Sequence, residues 1–517
     1  MKKKTSLAAL LAAYVLFLLA LTAAEAPHPD SSIKSIWDAL WYSLVTVTTV
    51  GYGDLYPVSP AGKLLGIFFL LLSVGALALA ISLAYAALTG SLIPRLKLLM
   101  GRKKAWYVFS QVNAASLALA HDAAHQHPDS LIIFCNCGAE KPTDGLRAIC
   151  LPDKPGDILP LGRGKKHVFL MDSDALQNCD DALSLSASSA IDTEIFCMGE
   201  ESSAVPGVSF FDPYTCCARQ FWQAHPLAQH ERTVVLAGGG RYAYALLSEA
   251  LVAGCRAPFT ASVYHLFGDW DEYRRSHPQL CRALTEETSG QDVLIFHDGP
   301  WNSDPALLEH ADRIIFCADE EEANAQRACL LDRLYPHRAN VFVRCAPPAV
   351  PGTRFGQPEA LFTCETVMRH ALDRTAMALH ETYRRSAAYP VPEWDGLNSF
   401  LKASNRAAAD HIFTKVRLLL PQEDARTLSP EICRRAHAAF LSGGDALRER
   451  CCENEHERWM RFHLLYNWQY APVRDNAMRR HPSLVPFAQL SDSEKAKDDY
   501  AWMQLETLAG PECTKER

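Results

Sequence analysis

Residues Thr48–Asp54 read Thr-Thr-Val-Gly-Tyr-Gly-Asp. The chemistry of this run lies in its backbone. Extended Thr49, Val50, Gly51, Tyr52 and Gly53 can line up carbonyl oxygens, with the Thr49 hydroxyl, as ligands for a bare potassium ion. Four copies around one axis would supply the roughly eight oxygens that replace its water. Gly51 and Gly53 permit the φ angles that aim those carbonyls. A second constellation is Gly238-Gly239-Gly240-Arg241-Tyr242-Ala243, directly after the apolar run Val234–Ala237. G-x-G-x-x-A between a strand and a helix is a setting in which helix N–H groups meet a phosphate, through Gly238, Gly240 and Ala243. No acidic residue stands clearly where a ribose partner belongs, since the next strand ends near His265 and Asp269 lies further on. The expectation is therefore an adenine or dinucleotide phosphate rather than NAD in particular. A third group is Trp459, Trp468, Tyr470 and Arg474, followed by Lys495. Flat aromatic faces stack planar bases, and cations meet phosphates. Each tryptophan alone also reads as a core residue.

Other chemistries find no support. There is no G-x-S-x-G, H-E-x-x-H or Walker sequence, so an enzyme is not expected. Cys135-Asn136-Cys137, Cys216-Cys217 and Cys451-Cys452 lack zinc-site spacing and read as buried thiols. Asp319–Glu322 reads as carboxylates offsetting a helix dipole rather than as a calcium site.

The elements that must hold these groups divide the chain sharply. Its 517 residues, 49% hydrophobic, suit several domains. The first 104 residues carry ten Lys/Arg against four Asp/Glu, whereas the whole chain is at −8. The remainder is acidic, which excludes a general nucleic-acid binder. Ser6–Ala24 and Leu64–Leu88 are uncharged runs of 19 and 25 residues. As helices they reach about 28 and 37 Å, enough for a hydrocarbon core. Lys2–Lys4 with Ala24-Glu25-Ala26 also fits a signal peptide, but the apolar run is long for one. Basic clusters flank both outer sides, at Lys2–Lys4 and at Arg95–Lys104. They place both termini in the cytoplasm and residues 25–63 outside. All 17 cysteines lie at or after Cys135, which agrees with a reducing compartment. Ser35–Thr46 is amphipathic and too short to span.

With TVGYG behind that short helix and between two spanning runs, residues 5–95 resemble the two-transmembrane potassium channels. The resemblance implies a homotetramer with K+ bound by Thr49, Val50, Gly51 and Tyr52. Trp41, Tyr42 and Asp54 would brace the filter from behind. The family's hinge glycine falls at Ser73 here, with Gly75 close by.

Residues 105–350 alternate apolar runs with helical stretches, the pattern of a parallel sheet. Strands are expected at Ala105–Ser110, Leu131–Cys135, His167–Met171 and Glu194–Cys197. A second set is expected at Thr233–Ala237, Ala261–Leu266, Val293–Phe296, Arg313–Cys317 and Val341–Arg344. Phe169–Asp174 matches Phe316–Glu321, and 22 residues separate Asp172 from Glu194 and Asp319 from Val341. This suggests a duplication, aligned Asp172 to Asp319. The first copy's turn, Ser110–Ala114, has no glycine and reads as structural. Paired Rossmann halves after such a pore resemble the RCK domains that regulate potassium conductance, over about residues 104–375.

Residues 377–400 read as a linker, and 397–420 and 431–466 as helices. Trp459, Trp468-Gln469-Tyr470, Arg474-Asp475, His481-Pro482 and the final acid–Lys run resemble the ryanodine-receptor repeat. The expected fold is an α-helical membrane pore domain, two spanning helices plus a re-entrant one, then α/β Rossmann-like domains and a small all-α domain. The expected boundaries are 1–100, 104–230, 231–380 and 390–510. The expected function is a ligand-gated, potassium-selective channel of a prokaryotic inner membrane, with a nucleotide or second messenger as ligand. The alternatives are a poorly conducting regulatory membrane protein and a nucleotide-dependent enzyme on a membrane anchor.

Overall fold

The computed structural model describes the chain except residues 1, 88–92, 138–144, 188–191, 202–204, 206, 286–289, 346, 388, 424–427 and 510–517. It forms two compact units, 1–100 and 101–517.

Among its described residues the first unit holds four helices: α1 (Lys2–Glu25), α2 (Ile36–Val47), α3 (Pro60–Ala87) and α4 (Ile93–Met100). The two uncharged runs lie in α1 and α3, except Leu88, which falls outside the described residues. Among the described residues, no helix is long and apolar enough to cross a membrane. α2 starts where Ser35 and Asp38 form a reciprocal capping box, satisfying N–H groups that the first turn leaves unpaired. Phe17 of α1 stacks on Phe69 of α3 at 4.4 Å. The Glu25 carboxylate accepts from the Val58 N–H (3.0 Å), the Ser59 N–H (2.9 Å) and the Ser59 hydroxyl (2.7 Å), tying the end of α1 to the start of α3.

The second unit contains two six-stranded parallel sheets. The first is built from β1 (Trp106–Phe109), β2 (Leu131–Phe134), β3 (Ala148–Cys150), β4 (Lys166–Leu170), β5 (Thr193–Met198) and β6 (Val208–Phe211). The second comprises β7 (Thr233–Ala237), β8 (Val263–Phe267), β9 (Val293–His297), β10 (Arg313–Phe316), β11 (Val341–Arg344) and β12 (Thr353–Phe355). The strand orders are β3-β2-β1-β4-β5-β6 and β12-β11-β10-β7-β8-β9. Both are the doubly wound Rossmann order, so the duplication is real at the level of topology. Strands buried on both faces account for the continuous apolar runs in the sequence. In the first sheet Phe134, Phe109, Phe169 and Phe196 sit in register on neighbouring strands and stack at 4.8–5.1 Å.

The two copies share a brace. Asn178 accepts from the Asp172 N–H and donates back to the Asp172 carbonyl, each at 2.8 Å. Asn324 makes the same pair with Ala318, again at 2.8 Å. Structural equivalence therefore aligns Asp172 with Ala318, one residue away from the alignment to Asp319 that sequence spacing suggests. The strands β3, β6 and β12 are 3 or 4 residues long and escape the pattern.

The expected linker at 377–400 is largely structured. A helix runs Arg374–Ser386, and Trp394–Gly396 makes a single 3-10 turn. The C-terminal helices span Ser399–Leu419, Pro430–Ser442, Gly444–Leu465 and Asp492–Ala509. The expected helix 431–466 is broken at Gly443–Gly444, where Gly444 has φ +75°. Phe440 stacks on the fully buried Trp502 in the core of this module.

Candidate functional site

The pentapeptide leaves α2 in a conformation ordinary residues avoid. Thr49, Gly51 and Gly53 have φ of +58°, +57° and +75°. Left-handed residues at every second position turn successive carbonyls toward a common side. The N–H groups of Val50 (3.1 Å) and Gly51 (3.3 Å) both return to the Val45 carbonyl, which holds the segment against α2. Trp41 donates its indole N–H to Asp54 at 3.0 Å, and its ring lies parallel to Tyr52 at 6.2 Å. Trp41 thus contacts both Tyr52 and Asp54, while the Tyr42 hydroxyl lies close to Gly66 of α3. Thr49 and Gly51 line a hollow of about 480 Å³ with Thr46, Leu70, Ser73 and Leu77. α3 runs unbroken through Ser73, whose hydroxyl bonds the Leu70 carbonyl at 2.9 Å.

The glycine turn is already filled. The Asp319 carboxylate accepts from the N–H groups of Arg241 and Tyr242, both at 3.1 Å, at the start of the helix Arg241–Val252. A Cβ on Gly240 would come within 2.4 Å of that carboxylate, on Gly238 within 2.4 Å of the Ala318 N, and on Gly239 within 2.2 Å of the Asp269 carbonyl. The glycines thus have a packing reason, and Asp319 sits where a phosphate would. Ala243 is fully buried in the core below. In the first copy Asn113 performs the cap instead, accepting from the Ser116 N–H and donating to the Met171 carbonyl.

The aromatic group is brought together only in part. Trp468 is 5% exposed, with Phe400 stacked on it at 5.6 Å and His463 edge-on at 5.2 Å. Trp459 lies between His456 (5.7 Å) and His463 (4.0 Å), with His481 edge-on at 4.9 Å. Trp468 is buried and Trp459 half-buried among these rings, so neither presents a freely exposed face. Tyr470 does, at 59% exposed, on the segment 469–481 that also exposes Val473, Met478 and Arg474. Burial holds His463 down to about 3, so it carries no positive charge near neutral pH. Arg474 donates to Asn476 at 2.9 Å, and Lys495 lies over Phe487 at 4.9 Å.

Sequence reasoning missed the ionic core beside this cluster. Lys415 meets Glu455 at 2.9 Å, and Arg458 meets Glu455 at 2.7 Å, all nearly fully buried. Burial, with Glu455 nearby, raises the Asp498 carboxyl to about 8. His456 donates from Nε2 to the Val485 carbonyl at 2.8 Å, leaving Nδ1 as an acceptor 3.5 Å from Asp498. A protonated Asp498 fits that pairing. The signal for this core was charge density along one helix (Glu455, Glu457, Arg458, Arg461), which reads as a solvated face until its partners are known.

Comparison with known proteins bears on both ends of the chain. Residues 6–89 match the family model described as an ion channel, and residues 438–513 that of the RyR domain. A voltage-gated potassium channel of Aeropyrum pernix is 56% identical over 57 residues, 11% of this chain and 19% of that protein. Potassium voltage-gated channel subfamily A member 6 of Homo sapiens is 52% identical over 52 residues, 10% of each. Residues 6–89 are thus similar to an ion-channel domain, and both of these relatives are potassium channels. The chain spans only 19% and 10% of those relatives' lengths. Among solved structures, the GsuK channel bound to NAD is 11% identical with a TM-score of 0.32, over 82% of this chain and 85% of that one. The GsuK channel bound to ADP is 12% identical at the same TM-score, over 82% and 100%.

Proposed function

We propose that this protein is a potassium-selective membrane channel, assembled as a tetramer, whose cytosolic part senses a phosphate-bearing ligand. The observation that carries this reading is the backbone of Thr49–Gly53 inside a channel domain. It alternates in handedness, is tied to α2, and faces a hollow shared with α3. One such segment cannot surround an ion, which is the reason for the four-fold assembly. Val50 and Tyr52 are 54% and 68% exposed in the single chain, as expected of surfaces completed by other copies. In this reading the uncharged runs Ser6–Ala24 and Leu64–Leu88 carry the chain through the membrane of a prokaryotic cell, although no helix of the described residues is by itself long and apolar enough to cross one, and the second unit is cytoplasmic.

The ligand reading centres on the segment 469–481. Exposed Tyr470 supplies a face for a planar group and Arg474 a charge, in an otherwise acidic cytosolic part. Trp459 and Trp468 shape the floor beneath rather than stacking on the ligand. The glycine turn at Gly238–Ala243 is a second candidate seat, closed by Asp319 until that carboxylate moves. No group in this reading performs catalysis.

The test is flux through the full chain in proteoliposomes. Gly53→Ala places a Cβ at φ +75° and should lower potassium-over-sodium selectivity about tenfold or more, with the cytoplasmic unit still folded. Unchanged selectivity in that variant contradicts the reading.

A further inference from the structure

The C-terminal helices are tied to the second Rossmann half by buried ions and to the first by half-buried pairs of Glu201 with Lys402 and Arg406. Arg219 lies on the helix Pro213–Ala224, whose Phe221 packs on Phe342 and Phe355 of the second half, and it meets Asp410 of the helix Ser399–Leu419 at 2.5 Å and Asp373 at 2.6 Å. Arg406 of that helix meets Asp373 at 2.8 Å, and Lys402 meets Glu201, just after β5, at 2.5 Å. On the side of the second half, Arg461 is 1% exposed and meets Asp292, at the start of β9, at 2.5 Å. Arg461 also bonds Gln291 at 3.0 Å. Asn454 donates to the carbonyls of Cys255 (3.1 Å) and Ala257 (2.7 Å). The end of the same helix bonds the second half twice more, His277 to the Leu465 carbonyl at 2.8 Å and Asn467 to the Ser276 carbonyl at 2.7 Å.

The helix Gly444–Leu465 therefore works on two sides. At about 100° per residue, Asn454, Glu457 and Arg461 fall on one face. His456, Trp459 and His463 fall on the opposite one. The first face is locked to the second Rossmann half, and the second lies under the segment 469–481. A buried charge separated from its partner is costly, so this helix cannot slide over β9 without either dragging it or leaving ions unpaired.

We propose that the C-terminal module is a bracket joining the two Rossmann halves, in which the helix Gly444–Leu465 carries displacement between the Trp459–His481 cluster and the second half. That the displacement is a ligand signal rests on the reading of segment 469–481 above; the bracket itself does not.

Hydrogen exchange by mass spectrometry on the full chain in lipid nanodiscs tests it without a ligand. Trp459→Ala, on the cluster face, should speed exchange about fivefold or more in residues 241–252 and 291–297 while leaving β1–β6 unchanged. In an Asp292→Asn background, where the Arg461 lock has lost its charge partner, the same substitution should add less than about twofold there. Trp459→Phe replaces the alanine variant if that one does not fold. Exchange changes confined to residues 399–509, additive effects of the two substitutions, or loosening of β1–β6 to the same extent would each overturn the bracket. Adding ADP separates the two readings: spreading exchange in a chain that binds no ADP at segment 469–481 supports the bracket and removes ADP from the candidate ligands.

Discussion

Asp498 gives the clearest pH dependence at the level of single residues. Its folded carboxyl is raised to about 8, first by burial and then by Glu455. A folded state that holds this proton more tightly than the unfolded chain gains stability that is complete below the unfolded value. That gain is lost as pH rises toward 8. Melting of the full chain should therefore occur at lower temperature at pH 8 than at pH 6. Asp498→Asn, which keeps a donor for His456, should flatten that slope. An equal slope in the variant assigns the alkaline loss elsewhere, with Glu249 next. Burial and Asp410 raise Glu249 to about 8 as well, at the junction with Arg219. Residues also show where reading a sequence stops. The positive φ of Gly51 and Gly53 was legible, because residue type reports backbone freedom directly. Trp459 and Trp468 were legible as a group, but not which faces were covered. Phe400 and His456 do the covering, and Phe400 lies far away in the chain.

Helices and strands were readable where periodicity was strong. The core strands of both sheets follow from apolar runs, whereas the edge strands β3, β6 and β12 do not stand out from the flanking sequence. The repeat's register is set by side chains that brace a turn, Asn178 and Asn324, and spacing between acids misplaces it by one. The glycine turn shows the same limit. Glycines announce a close approach, but not whether a ligand or the chain's own carboxylate makes it. Asp319→Asn keeps a capping oxygen but removes the competing charge. Calorimetry should then show ADP binding tightened about tenfold if the turn is a phosphate seat. Tyr470→Ala should instead weaken ADP binding about fivefold or more if segment 469–481 stacks the base. The pattern across the two variants says which element holds the nucleotide, and no change in either removes both.

The whole molecule pairs a small channel domain with an acidic unit four times its length. The break at residue 100 was legible from charge and hydropathy, while the locking of the C-terminal module onto the Rossmann part was not. Buried pairs such as Arg219–Asp410 and Arg461–Asp292 join residues 191 and 169 positions apart, and nothing local marks them. Assembly of the channel domain sets the quaternary expectation, and native mass spectrometry of the full chain should give four copies. The most direct measurement is the reversal potential of the reconstituted wild-type chain with potassium on one side of the bilayer and sodium on the other. The account predicts a potential shifted strongly toward the potassium equilibrium value, collapsing toward zero in Gly53→Ala. A wild-type current that reverses near zero, or no current at all, contradicts it.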